Sequence, residues 1–221
     1  MSHHKTIGVV LAGSGVQDGS EIHEAVLTLL ALDRAGVKIE IMAPDVPQRH
    51  VINHLSGEQI TAESRNVLRE SARIARGKIR NLNAVTVSEL DGLIFPGGYG
   101  VAKNLCDYAV KGVNFSVNPE VARIILAMHA AKKVQGFICI APVIAAKVLG
   151  EFHPELTIGN DPDTAADIEK SGGRHVPRKV DEIAEDKINK LISTPAYMLG
   201  PSIAPVAKGI DKLVSRVIEL A

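Results

Sequence analysis

The chain predicts an α/β fold: a mostly parallel central sheet with helices on both faces. Three observations predict it. Aromatic residues make up only 3% and Trp is absent, so the core must be built from Val, Ile, Leu and Ala, as in strands buried on both faces. Short continuous apolar runs recur over residues 6–12, 38–43, 93–95 and 134–138. Amphipathic stretches separate them, which is the strand–helix–strand alternation of parallel crossover units.

Residues 6–12 read as a buried central strand. They end in the glycine-rich loop Gly13-Ser14-Gly15-Val16-Gln17-Asp18-Gly19. Ser20 is a good N-cap. Glu21, Glu24 and the stripe Val26, Leu29, Leu30, Leu32 follow at helical spacing, until Gly36 closes the helix. Residues 38–43 form the second strand. A polar excursion follows over 44–61, with one short strand at Val51-Ile52, and then a helix over 62–76. The strand at 93–95 runs into Pro96-Gly97-Gly98-Tyr99-Gly100. Helices are expected over 102–109 and 119–131. Strand 134–138 delivers Cys139, with a helix over 143–149 straight after. A short strand at 156–158, a helix over 161–170, a hairpin over 180–192 around Glu185-Asp186-Lys187 and an amphipathic helix over 202–220 complete the chain. No internal repeat, low-complexity segment or linker interrupts it, so one domain over 5–221 is expected.

Composition excludes several classes of function. Lys+Arg and Asp+Glu are balanced at 25 each with no basic stripe, so neither a nucleic-acid partner nor a membrane partner is expected. Met1-Ser2-His3-His4-Lys5 leads straight into a strand and does not read as a signal peptide. Two cysteines make no disulfide framework, and a cytoplasmic location is the simplest expectation. A homodimer is the default assembly for such folds. The opening loop has Gly13 and Gly15, but its third glycine, Gly19, comes one residue late for a dinucleotide fingerprint. Ala43-Pro44 stands where a ribose-binding acid would end the second strand. The histidines lack metal-ligand spacing. No cofactor and no metal are therefore expected.

Cys139 is the strongest chemical signal. In Gly136-Phe137-Ile138-Cys139-Ile140-Ala141-Pro142 a strand, one reactive side chain and a helix follow one another. Such a turn lies at the carboxyl edge of a parallel sheet. It projects the side chain and aims the next backbone N–H as an oxyanion donor. A helix N-terminus favours negative charge, so the thiol is expected to have a lowered pKa. Read by itself, the same segment also fits an inert buried cysteine. Two features favour the reactive reading. Pro96-Gly97-Gly98 can bring a second backbone donor, Gly98, beside that of Ile140. Glu24 lies in the first turns after strand one, on the same edge of the sheet. Cys106 falls inside a predicted helix and has no such turn.

Gly19-Ser20-Glu21-Ile22-His23-Glu24, Phe95-Pro96-Gly97-Gly98 with Ala102-Lys103-Asn104-Leu105, and Ile138-Cys139-Ile140-Ala141-Pro142 resemble the ThiJ/PfpI group of the class I amidotransferase-like superfamily. The likeness is closer still to its ElbB branch, the isoprenoid-biosynthesis proteins with an amidotransferase-like domain. Gly13-Ser14-Gly15-Val16, Ser64-Arg65-Asn66-Val67, Ala72-Arg73-Ile74-Ala75-Arg76-Gly77 and Thr194-Pro195-Ala196-Tyr197-Met198 carry that closer likeness. The resemblance implies a flavodoxin-like three-layer sandwich, Cys139 as nucleophile, Glu24 as its acid partner, and Gly98 and Ile140 as backbone donors. It also implies a cofactor-free glyoxalase, a lyase that converts glyoxal to glycolate, with a protein deglycase as a related activity. The chain departs from the group's proteases and deglycases: Ile140 stands where the proteases carry histidine, and Thr157-Ile158-Gly159-Asn160-Asp161 lacks the histidine found there in the deglycase members.

A Cys-Glu dyad must then carry any catalysis, with a small aldehyde as substrate. The proton is expected to rest on Glu24 while the sulfur is a thiolate. His23, beside Glu24, is expected to support the site or line its rim. His54, Arg65 and Asn66, from an excursion expected to cover the pocket, are further candidates to meet substrate oxygen atoms. The alternative of another class is a non-enzymatic accessory or redox-sensing protein, linked to isoprenoid biosynthesis, whose reactive cysteine oxidises.

Overall fold

The computed structural model describes residues 5–221; residues 1–4, on which the reading of the N-terminus rests, lie outside the described residues. The elements run β1 (Thr6–Val10), α1 (Ile22–Arg34), β2 (Lys38–Ala43), α2 (Val67–Ile74), β3 (Arg80–Asn81), β4 (Gly92–Phe95), α3 (Tyr108–Lys111), α4 (Pro119–Ala130), β5 (Val134–Ile138), α5 (Pro142–Leu149), β6 (Glu155–Leu156), α6 (Pro162–Lys170), β7 (Arg174–His175), β8 (Ala184–Asp186), β9 (Leu191–Thr194) and α7 (Ile203–Leu220). Seven strands form one sheet in the order β3-β2-β1-β4-β5-β9-β8. Every pairing in it is parallel except β8 with β9. This is the flavodoxin-like three-layer sandwich.

The apolar runs are strands because both of their faces are covered. Val10, Leu93, Phe95 and Phe137 join the core under α4 and α5, and Phe95 stacks on Phe137 with ring centroids 5.1 Å apart. Ile7, Val9, Leu11, Ile94, Val134 and Ile138 face the opposite way, toward Ala25 and Leu32 of α1 and Ile210, Leu213 and Val217 of α7. The strand order reverses at β1: β2 lies on one side of it and β4 on the other. The carboxyl edge at such a switch point is where open α/β sheets leave a crevice.

Several local expectations are corrected. Ser20 does not cap α1. Its hydroxyl accepts from Ala12 N–H at 2.8 Å, and Glu21 takes the cap instead. The helix expected over 62–76 starts only at Val67, because Asn66 turns extended and caps it. The helix expected over 102–109 breaks: Val101–Leu105 is a π-turn, Cys106 is extended at φ −152°, and Cys106 bridges to Val117. The strand near 156 pairs with β7 in a separate two-stranded sheet. The hairpin turns at 187–190 rather than around Asp186, which frees β9 to pair with β5 and extend the main sheet. A periodicity reading sees apolar residues but not their partners, so short elements are the ones it displaces.

Candidate active site

Cys139 sits between β5 and α5 with φ +62°, a left-handed conformation uncommon for a residue with a side chain. Hydrogen bonds hold it there: its N–H donates to Thr194 O at 2.9 Å, and Ala141 N–H donates back to Ile138 O at 3.0 Å. Pro142 opens α5, where its missing N–H costs nothing. The strained elbow swings the thiol off the sheet edge. The backbone N–H groups of Gly98 and Ile140 both point at the sulfur.

Glu24 is completely buried in the first turn of α1. Its Oε2 accepts from Gly97 N–H at 2.9 Å and its Oε1 from Tyr197 N–H at 3.1 Å. Gly97 O in turn accepts from Glu21 N–H at 2.9 Å, and a Glu21 carboxylate oxygen accepts from Glu24 N–H at 2.7 Å. The loops after β4 and β9 are thereby stitched to the start of α1. The two glycines are there because nothing else fits. A Cβ on Gly97 would stand 2.4 Å from Cys139 Cβ and 2.5 Å from Glu24 Oε2. Gly98 has φ +101°, and a Cβ there would stand 2.3 Å from Glu21 N.

The carboxyl and the thiol are neighbours: the Glu24 charge opposes ionisation of Cys139, whereas a hydrogen bond from the thiol favours the Glu24 carboxylate. Burial pushes Glu24 up to about 8, against the Tyr197 and Gly97 N–H groups and with help from the charge of Glu21. Burial first, and the charge of Glu24 second, hold Cys139 well above the ordinary thiol value; the N–H groups of Gly98 and Ile140 pull the other way and lose. The expected lowering of the thiol pKa is therefore reversed. The sequence places a helix N-terminus and two amides beside the sulfur, but it does not reveal that the sulfur and a carboxyl are desolvated together. Both groups therefore hold their protons at neutral pH, Glu24 up to about 8.

Cys139 opens into a cavity of about 350 Å³. Its walls include Glu21, Gly98, Ile140, Asp161, Thr164 and Met198, together with Tyr99, Tyr108 and Tyr197, the chain's three tyrosines. Of the candidates named from sequence, Cys139, Glu24, Gly98 and Ile140 come together. His23 is exposed at the rim, where its Nδ1 meets Tyr197 OH at 2.8 Å. His54, Arg65 and Asn66 do not line the cavity, and their expected place in it is corrected. His54 Nε2 accepts from Gln17 N–H at 3.2 Å, Arg65 pairs with Glu63 at 2.9 Å, and Asn66 caps α2 and donates to Asp45 at 2.8 Å. Their excursion packs on the glycine-rich loop instead: Ile52 N–H donates to Asp18 and Arg49 N–H to Asn104. Glu21, Tyr99, Tyr108, Asp161 and Tyr197 were missed. A cluster of all the tyrosines in an aromatic-poor chain cannot be read without the fold, although Tyr99 follows Gly98 and Tyr197 stands inside one of the motifs.

An elbow cysteine with a buried acid and two amides, on the carboxyl edge of this sheet, defines an amidotransferase-like protein. Solved structures agree. An isoprenoid biosynthesis protein with amidotransferase-like domain from Ehrlichia chaffeensis superposes with a TM-score of 0.91 at 37% identity, over 98% of this chain and 99% of its own. Drosophila melanogaster DJ-1beta shares the fold at a TM-score of 0.58 and 18% identity. No protein-family model matches the chain. The ES1 protein homolog of Rattus norvegicus is 46% identical over 97% of this chain and 83% of its own length. The human glutamine amidotransferase-like class 1 domain-containing protein 3 is 45% identical over 97% and 82%. The chain belongs to this ES1 family of amidotransferase-like proteins. The branch named from sequence is matched by the Ehrlichia protein, whereas the rat relative carries the ES1 name and the human one an amidotransferase-like name. Those animal relatives are mitochondrial proteins, which overturns the expectation of a cytoplasmic location. A pair of cysteines with no disulfide framework does not tell one compartment from another.

Proposed function

We propose that the chain is a cofactor-free, glyoxalase-like enzyme that converts glyoxal or a related 2-oxoaldehyde to the hydroxy acid, with deglycation of proteins as an extension of the same chemistry. The observation that supports it is the Cys139–Glu24 pair beneath the N–H groups of Gly98 and Ile140, opening into a cavity. As the sulfur adds to one aldehyde carbon, Glu24 takes the thiol proton and returns it to the new oxygen, giving a hemithioacetal. The two N–H groups hold that oxygen while it is charged. Glu24 then removes the hydrogen on the sulfur-bearing carbon as a proton and delivers it to the neighbouring carbon through an enediol, leaving a thioester. Water adds, the carbon–sulfur bond breaks and the sulfur regains its proton. The net change is aldehyde plus water to hydroxy acid, an internal redox step that needs no external oxidant.

Glycolate formation from glyoxal by purified wild type, Cys139→Ser and Glu24→Gln tests the proposal. Wild type turns over, and each variant loses at least about a hundredfold. Glu24 must be ionised to act as base, so kcat/KM rises with pH through about 8 and levels off above it. Glyoxal turnover by Cys139→Ser at the wild-type rate would sink the reading.

A further inference from the structure

A simple dialdehyde leaves most of the cavity unfilled. About 350 Å³ has room for roughly a dozen waters at about 30 Å³ each. That volume lies in the range of sites for larger organic ligands, roughly 300–1,000 Å³. The wall is also one-sided in charge. Among the described residues it holds two carboxylates, Glu21 and Asp161, three tyrosines, and no Lys, Arg or His side chain. The cations in the neighbourhood are committed elsewhere. Lys103 donates to Gln17 O at 2.8 Å while lying on the Tyr99 ring, and Lys147 lies over Phe115. His23 stands behind Tyr197, with its Nδ1 3.9 Å from Glu21.

The two carboxylates are not equally occupied. One Glu21 oxygen is used by Glu24 N–H. Asp161 occupies the N-cap position of α6 but makes no side-chain cap hydrogen bond, and its one side-chain partner is the Thr164 hydroxyl at the long distance of 3.5 Å. An N-cap aspartate normally spends its carboxylate on the helix amides. This one faces the cavity with its acceptor capacity almost free. Tyr108 lines the same part of the wall, and its own hydroxyl is spent on Asp167 at 3.0 Å. Aromatic faces beside an underused carboxylate make a receptor for an organic cation.

We propose that the cavity selects a carbonyl compound whose far end carries a positive charge, an ammonium or guanidinium group, held by Asp161 and the tyrosines while the carbonyl reaches Cys139. Anionic carbonyl compounds, whether carboxylated or phosphorylated, are rejected by Glu21 and Asp161. The substrate part of this proposal rests on Cys139 acting as a carbonyl nucleophile; the charge selectivity of the cavity does not.

Two measurements test it separately. The first labels Cys139 with a pair of methanethiosulfonates of similar size, one bearing a trimethylammonium and one a sulfonate. Each forms a mixed disulfide and releases methanesulfinate. Rates are read by peptide mass at Cys139 and divided by those for a free small thiol. The cationic reagent is favoured by at least about tenfold after that correction, and Asp161→Asn shrinks the preference severalfold. Asp161 makes no cap hydrogen bond, so the variant keeps α6; Glu21→Gln, which touches the α1 cap, is the secondary check. Equal corrected rates, or a faster sulfonate, overturn the charge selectivity whether or not the protein turns anything over. The second compares kcat/KM for phenylglyoxals with a trimethylammonium, hydrogen or carboxylate at the para position. The expected order is cation, neutral, anion, compressed in Asp161→Asn; an anion processed as well as the cation overturns the substrate class. Labelling that keeps its charge preference in a protein that processes no phenylglyoxal at all leaves the receptor standing and removes the glyoxalase reading.

Discussion

The two cysteines are buried almost equally, Cys139 at 8% and Cys106 at 5% exposed. Burial raises both thiols, Cys106 to about 12. Exposure does not separate them; the backbone and what surrounds the sulfur do. Cys106 sits in ordinary extended backbone in the core, and its thiol donates to Val101 O at 3.3 Å. Cys139 sits on a strained left-handed elbow at a cavity wall, with two N–H groups and a carboxyl aimed at it. Backbone strain of the order of 1–3 kcal/mol persists where surrounding structure overdetermines it, and such strain clusters at functional positions.

The contrast predicts its largest effect in turnover. Cys139→Ala lowers kcat/KM for glyoxal by at least about a thousandfold and leaves the fold intact. Cys106→Ala keeps the rate and costs about 1–2 kcal/mol of stability in denaturant titrations, for a small core cavity. The opposite pattern would assign the chemistry to the wrong sulfur. Next in size is the backbone that arms the elbow. Gly98→Ala puts a methyl against the backbone of Glu21 at a positive φ, so α1 must shift. A loss of several kcal/mol in chemical denaturation is expected, whereas an alanine tolerated within about 0.5 kcal/mol would mean the loops after β4 and before α1 are not the tight clamp described.

The third effect concerns protons. Glu24→Gln removes the charge that is the second cause of the raised Cys139 thiol. The pH midpoint of Cys139 alkylation by iodoacetamide therefore falls in the variant, and that of Cys106 does not move. Stability follows the sign of the linkage. Folded Glu24 holds its proton up to about 8 against an ordinary 4.5, so its contribution is fully present below about pH 4.5 and is lost as pH rises through 8. Thermal melts at pH 5 and pH 9 should show the wild type losing ground to Glu24→Gln as pH rises; parallel curves would show that the carboxyl is not buried as described.

Much of this was legible before any fold was known. Strands buried on both faces announce themselves as unbroken apolar runs, and the Ile138-Cys139-Ile140-Ala141-Pro142 turn and the Pro96-Gly97-Gly98 turn need their particular residue types. Other motif residues turn out to shape the loop rather than the chemistry. Asn104 donates to both Ala12 O and Asp18 O at 2.9 Å, and Ser20 accepts from Ala12 N–H at 2.8 Å. They fix the glycine-rich loop from outside, so they look functional in sequence and are architectural in space. His54, Arg65 and Asn66 were misplaced for a related reason: an excursion leaves from the correct sheet edge, yet which surface it folds onto depends on distant partners such as Asn104. The raised thiol was invisible because desolvation is a property of everything packed around a group, not of its neighbours in the chain.

The smallest effect tests how far the site extends beyond the sulfur. Tyr197 supplies its backbone N–H to Glu24 and its hydroxyl to His23. Tyr197→Phe keeps the first contact and deletes the second. His23 is half exposed, so water replaces much of what is lost, and a net cost near the low end of about 0.5–1.5 kcal/mol is expected. That corresponds to a fewfold fall in kcat/KM if the hydrogen bond steadies the loop that holds Glu24. His23→Ala should give a similar fall, and the double variant should fall no further, because both changes break one interaction. Additive losses would mean that the ring and the hydroxyl act separately on substrate. Abolished turnover in His23→Ala, with the fold intact by circular dichroism, would promote His23 from a supporting residue to the proton carrier and displace Glu24 from that role.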